Sequence, residues 1–202
     1  MILKGFKFGM LLQFAIGPVC IYIFQMASLK GFFLAETGVL GVALIDGLFI
    51  FAAIFGMAVI IEKRNVKLIM KFFGAAILFF FGISTILGQF NIDILPVINV
   101  KNISNSTSVF GSAALLTASN PLTILFWAGV FSVKIAEENL GRNEIYKFGF
   151  GALLSTAFFL TLIAFLGNFA KIFMSADIIK IFNIMVGVLL IYFSFRMVVK
   201  GV

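Results

Sequence analysis

The sequence predicts an all-α integral membrane protein with six transmembrane helices. They form a 3+3 inverted repeat with proline-broken helices 1 and 4. Three observations predict this. First, 62% of the 202 residues are hydrophobic and 11% charged, with a mean hydropathy of +1.19. A soluble domain is about 45–50% apolar and about 25% charged, so this chain cannot clothe itself for water. Second, the apolar residues lie in long, almost uncharged runs. Such runs are helical spans, whereas barrel strands alternate in polarity over about 10 residues. Third, two prolines, Pro18 and Pro121, interrupt matching runs at matching depth.

The predicted spans are residues 8–29, 38–61, 68–88, 109–133, 148–170 and 178–199. Each is near the ~20 residues that cross a hydrocarbon core. Lys4 and Lys7 precede the first span, as in a signal peptide. It exceeds the usual apolar core of ~7–15 residues and meets no small-x-small cleavage site before Lys30, so it reads as a retained helix. Four connections are short and charged or turn-like. The fifth, 89–108, is long and polar. The chain therefore divides into a first three-helix repeat at 1–88, a polar external loop at 89–108 and a second repeat at 109–202. Of 15 lysines and arginines, all but Lys30, Lys101, Lys171 and Lys180 fall on the side that holds both termini. The positive-inside rule makes that side cytoplasmic, in a multi-pass protein of the cell membrane. The 28 phenylalanines read as bulk facing lipid.

Absences narrow the function. A single cysteine, Cys20, excludes an intrachain disulfide and thiol–disulfide carriage. With no histidine, His-ligated metals, His-held haem and His-based acid–base catalysis are excluded. No phosphate-binding G-x-x-x-x-G-K-[ST] pattern occurs, so the chain does not use ATP. No cofactor is expected. The net charge of +7 sits in short loops, which makes it a topology signal rather than a nucleic-acid surface.

The repeat is visible in the residues. Leu12-Gln13-Phe14-Ala15-Ile16-Gly17-Pro18 aligns with Leu115-Leu116-Thr117-Ala118-Ser119-Asn120-Pro121. The second helices correspond from Gly38 and Gly149 onward, and the third helices each carry a mid-span glycine, Gly74 and Gly187. Three spans per copy give the copies opposite orientation. Inverted repeats of this kind are common in transporters and place the substrate near the midplane.

Candidate site residues follow. Proline within a helix removes a donor and displaces the carbonyl four residues earlier, and Gly17 and Asn120 tolerate unusual backbone angles. Backbone freed by Pro18 and Pro121 must face protein or a wet cavity, never lipid. Asp46 is read as the sole acid well inside a span, where a charged Asp costs about 2.5–3.5 kcal/mol. It could meet a cationic substrate, a proton or a sodium ion, or it could bond a neighbouring helix. The matching region of the second repeat offers the uncharged Ser155 and Thr156. Gln13, Thr117, Ser119, Asn120 and Thr123 cluster around the prolines, serving as binding groups or as interhelical glue. Gln25, Ser84, Thr85 and Asn168, nearer span ends, are read as packing.

Ala15-Ile16-Gly17-Pro18, the glycine-rich helix 2 and Ser119-Asn120-Pro121-Leu122-Thr123-Ile124-Leu125-Phe126-Trp127 resemble the LysE-type amino-acid exporters. The resemblance covers nearly the whole chain. Ala15-Ile16 replaces an additional proline of the family, and Asn-Pro-Leu stands where many members have Asn-Pro-Lys. Leu44-Ile45-Asp46-Gly47-Leu48 looks like the helix 2 acid of the branch that exports basic amino acids. The resemblance implies ion-coupled export of amino acids or related metabolites by alternating access. Its partners would be the small-molecule substrate, a coupling proton or sodium ion and the lipid bilayer, with a homodimer open to it. The rival is a non-transporting assembly or scaffold subunit, which has no need of an intramembrane acid. A membrane enzyme is the weaker rival, for want of histidine and of an acid pair.

Overall fold

The computed structural model describes residues 1–13, 17–55, 64–90, 105–120, 123–124, 127, 131, 141–170 and 176–200. Among the described residues there are seven α-helices and no strand. They are α1 (Ile2–Gln13), α2 (Pro18–Lys30), α3 (Phe32–Ile54), α4 (Arg64–Leu87), α5 (Ser106–Ala118), α6 (Arg142–Ala170) and α7 (Ala176–Lys200). A 3-10 turn, Gly88–Phe90, follows α4. By length and composition, Phe32–Ile54, Phe72–Phe90 and Asn143–Ala170 can cross a membrane, and Ser106–Ala118 is a shorter apolar helix.

The first expected span is two helices. α1 ends at Gln13, and α2 begins at Pro18 after an extended Gly17 (φ −116°, ψ −178°). Pro18 is the first residue of α2, where its missing N–H would have had no helical partner in any case. It therefore starts a helix, where sequence reasoning set it inside one.

The second expected span begins earlier than residue 38. α2 stops at Lys30, and Gly31 alone connects it to α3. Its φ of +97° is open to glycine at little strain, and its N–H closes the turn onto Ala27 O at 2.9 Å. Asn168 of α6 caps the new helix by accepting the Phe32 N–H at 3.1 Å. The early start places Glu36 on α3. Glu36 stands near the start of the helix, and Asp46 is the acid of its middle, as the sequence reading held.

Packing crosses between the halves of the chain. α1 lies along α6 from Phe148 to just past its middle, where Phe6 meets Phe158 edge-on at 5.7 Å. α2 lies along the second half of α6. α3 packs on both α5 and α6, and α4 packs on α7. This last contact is reciprocal. A methyl group added at Gly82 would stand 2.7 Å from Gly187 O, and one at Gly187 would stand 2.7 Å from Gly82 O. The backbones touch there, at Gly82 and Gly187. Small residues permit such approach where helices cannot rely on hydrophobic exclusion from water.

Two apolar clusters form the interior. The larger gathers α2, α3, α4, α5, α6 and α7 around Tyr22, Ile23, Met26 and Phe81. The smaller joins Ile50, Trp127, Phe131, Phe148 and Ala152. Outside them, Phe33, Phe55, Phe73, Phe158 and Phe195 are exposed. Aromatic surface on this scale is far beyond the patches a soluble monomer exposes. It fits the expected lipid-facing role of phenylalanine.

Candidate functional site

Asp46 lies in the body of α3, about 21 Å along the axis from Phe32 and about 12 Å from Ile54 at 1.5 Å per residue. Only 4% of its surface is exposed. Its Oδ2 accepts a hydrogen bond from the Thr156 hydroxyl of α6 at 3.0 Å. That hydroxyl oxygen in turn accepts from the Gln13 side-chain amide at 2.8 Å. A hydroxyl has one proton to give and two lone pairs to offer. Thr156, itself buried, uses both functions and so connects the end of α1 to the carboxyl of α3.

Gln13 is the last residue of α1, at the break before Pro18. The chain Gln13–Thr156–Asp46 therefore links the interruption of the first span to the buried acid. The Trp127 side chain, buried beyond the second break, also hydrogen-bonds toward the Asp46 carboxyl. Oδ1 has no partner at hydrogen-bonding distance among the described residues. A buried acceptor left open in this way costs about 1–3 kcal/mol, more when charged. Such an oxygen can accept a proton or a hydrogen-bond donor.

The second break is built otherwise. α5 ends at Ala118, and Ser119 and Asn120 follow. The Thr117 hydroxyl donates back to Ala113 O at 2.8 Å, and the Ser119 hydroxyl to Leu115 O at 2.6 Å. Such back-bonding bends helix ends. The Asn120 N–H donates to Thr117 O at 3.2 Å, and the Asn120 carbonyl accepts from Thr123 N–H at 3.1 Å. Pro121 lies outside the described residues.

The structure thus brings Gln13 and Asp46 together through Thr156, with Gly17 and Pro18 shaping the adjoining break. Thr117 is committed to its own helix, Asn120 to the backbone turn, and Thr123 stands half-buried after that turn. Thr156 and Trp127 were not foreseen as Asp46's partners. The signal was present for Thr156, which the sequence alignment of the two halves set opposite Asp46. Trp127 was visible only as the end of the Asn-Pro motif. Glu36 was also missed. Its Oε2 accepts from the Thr161 hydroxyl of α6 at 3.2 Å, so both acids of α3 are met by threonines of α6. No group of three or more metal-ligating side chains occurs among the described residues.

Comparison with known proteins agrees with this picture. The model of the LysE type translocator family matches residues 10–201. The "Putative amino acid efflux protein YcgF" of Bacillus subtilis (strain 168) is 27% identical over 151 residues, which are 72% of this chain and 70% of that protein. An uncharacterised membrane protein of Synechocystis sp. is 27% identical over 162 residues, 80% of this chain and 77% of that protein. No solved structure matches the chain significantly. With the family model spanning nearly the full length, this membrane protein belongs to the LysE type translocator family.

Proposed function

We propose that the protein is a secondary exporter of amino acids or related small metabolites, coupled to a proton or sodium gradient and working by alternating access. The observation that carries this is the buried Asp46 carboxyl, tied to the first helix break through Thr156 and Gln13 while Oδ1 stays open. Family membership and the efflux name of the Bacillus relative support the direction and the substrate class.

In this reading Asp46 Oδ1 meets the cation, either the substrate ammonium group or the coupling ion. Gly17, Pro18, Asn120 and Pro121 hold the breaks at which backbone groups face the substrate. Gln13, Thr117 and Thr123 supply the polar rim. Neutralising Asp46 by a bound cation or proton removes the penalty of a bare charge in a low-dielectric interior, so the loaded site can change its exposure. A rocking of one three-helix repeat, 1–88, against the other, 109–202, then alternates access.

The helix pairing supports the 3+3 arrangement. α1, from the first span, lies on α6, just as α5, from the fourth, lies on α3. α3 meets α6, and α4 meets α7 through matched glycines. Exchanging the halves maps this set of pairs onto itself. Both termini are then cytoplasmic. Reporter fusions at Val202 and within 91–104 should report opposite sides, and an external Val202 would rule out six spans.

The deciding experiment is flux from liposomes holding reconstituted protein and labelled amino acids, with and without proton and sodium gradients. Asp46→Asn keeps size and hydrogen bonding but removes the charge. Flux should fall at least ~10-fold, about 1.4 kcal/mol in the barrier, while the melting temperature holds or rises. Normal flux with a lowered melting temperature would make Asp46 a structural residue only.

A further inference from the structure

We propose a second, uncharged polar site between α2, α4 and α7 that takes a small monovalent cation, either an alkali ion or an alkylammonium group. Its core is Gln25, fully buried on α2, whose side-chain amide donates to Asn183 Oδ1 of α7 at 2.8 Å. That bond uses the amide nitrogen and leaves Oε1 buried with no partner. Ser84 and Thr85 of α4 are each 1% exposed, and their hydroxyl oxygens also lack partners.

Register brings these groups to one level. α4 and α7 run antiparallel, with Ser194 donating to Ala75 O and Gly187 against Gly82 and Ile86. Asn183, one turn before Gly187, therefore lies beside the last turn of α4, which holds Ser84 and Thr85. One layer back, Tyr22 packs edge-on against Phe81 at 6.1 Å, and one further turn along each helix leads to Gln25 and to Ser84–Thr85.

Every open atom in this layer is an oxygen, and Gln25 Oε1 can only accept. The partner of Oε1 must bring positive charge or a donor, and the Ser84 and Thr85 hydroxyls can turn lone pairs to the same cation. Ser84 and Thr85 also stand in the last turn of α4, where the helix dipole favours a cation. None of the groups at this level is a carboxylate, which a divalent ion would require. A single positive charge is what the layer accommodates. Read as the seat of the coupling ion, this deepens the exporter proposal and rests on it. Read as a binding site, it stands alone.

The test is thermal melting of the purified full chain in NaCl, KCl, methylammonium chloride and N-methylglucamine chloride at equal ionic strength. One or more small cations should raise the melting temperature saturably over the bulky N-methylglucamine, and the order of the salts distinguishes an alkali ion from an ammonium group. Ser84→Ala/Thr85→Val should remove the shift, and Asp46→Asn should keep it. If the double variant does not fold, Ser84→Ala alone should raise the half-saturating concentration. Equal melting in all four salts would mean that water fills the layer and would overturn the proposal. So would a shift that survives the double variant, or one that vanishes in Asp46→Asn. Flux is read separately. A chain that shows the cation shift but moves no amino acid would fail as an exporter while keeping this site.

Discussion

The two breaks differ in what they do with their polar side chains. At the first, Gln13 reaches out from the end of α1 to Thr156, and through it to Asp46. At the second, Thr117 and Ser119 fold back onto the carbonyls of their own helix, and Asn120 closes a backbone turn. At the first break a side chain reaches another helix, and at the second two hydroxyls turn back onto their own. The two halves of the chain thus differ in what they contribute. The first half carries the ionisable group and its connection, and the second contributes the hydroxyl of Thr156 that relays it.

The sharpest way to break this comparison is Thr156→Val, which keeps shape and deletes the relay. It leaves the Gln13 amide without this partner and Asp46 Oδ2 with one hydrogen bond fewer, so stability should fall by about 1–3 kcal/mol. Thermal melting in detergent measures it, and an unchanged curve would mean that the relay holds nothing together. Next in size is the contrast between Gln13→Leu and Thr117→Val. Gln13→Leu should cut flux about tenfold, whereas Thr117→Val should leave flux within about twofold and lose roughly 1 kcal/mol. The opposite ranking in a liposome assay would exchange the roles of the two breaks. The smallest stability effect is expected at Pro18. As the first residue of α2 it gives up no hydrogen bond, so Pro18→Ala should change stability by less than about 1 kcal/mol. Flux should nonetheless drop, because alanine allows helical conformations that fixed proline geometry denies to Gly17. Full flux in Pro18→Ala would leave Gly17 alone in charge of the first break.

The positions of the breaks were legible because only a few residue types change backbone direction, and Gly-Pro and Asn-Pro announce themselves. Asp46 was legible because a carboxylate in an apolar run is conspicuous. Helix ends were less so. Nothing in the hydropathy of 30–37 indicates that Gly31 alone would turn the chain through a positive φ, and that one-residue turn is what drew Glu36 onto α3. Partners were the least legible. That Gly82 meets Gly187 depends on where α4 and α7 cross, a tertiary quantity that periodicity does not encode. The burial of Gln25, Ser84 and Thr85 was hidden for the same reason: they sit near span ends in sequence yet deep between helices in space.

Gly31 has a mechanical consequence. With a single residue between α2 and α3, and with Asn168 of α6 holding the first N–H of α3, the turn of this hairpin has no slack. α2 and the beginning of α3 are coupled like the two arms of a bent lever with a stiff elbow. A rotation at that corner would have to break the Gly31–Ala27 and Phe32–Asn168 bonds together. Gly17 sits at the other end of the same lever, where α1 and α2 are separate rods. Any swing of the hairpin pivots there, a few residues from Gln13 and so from the relay to Asp46.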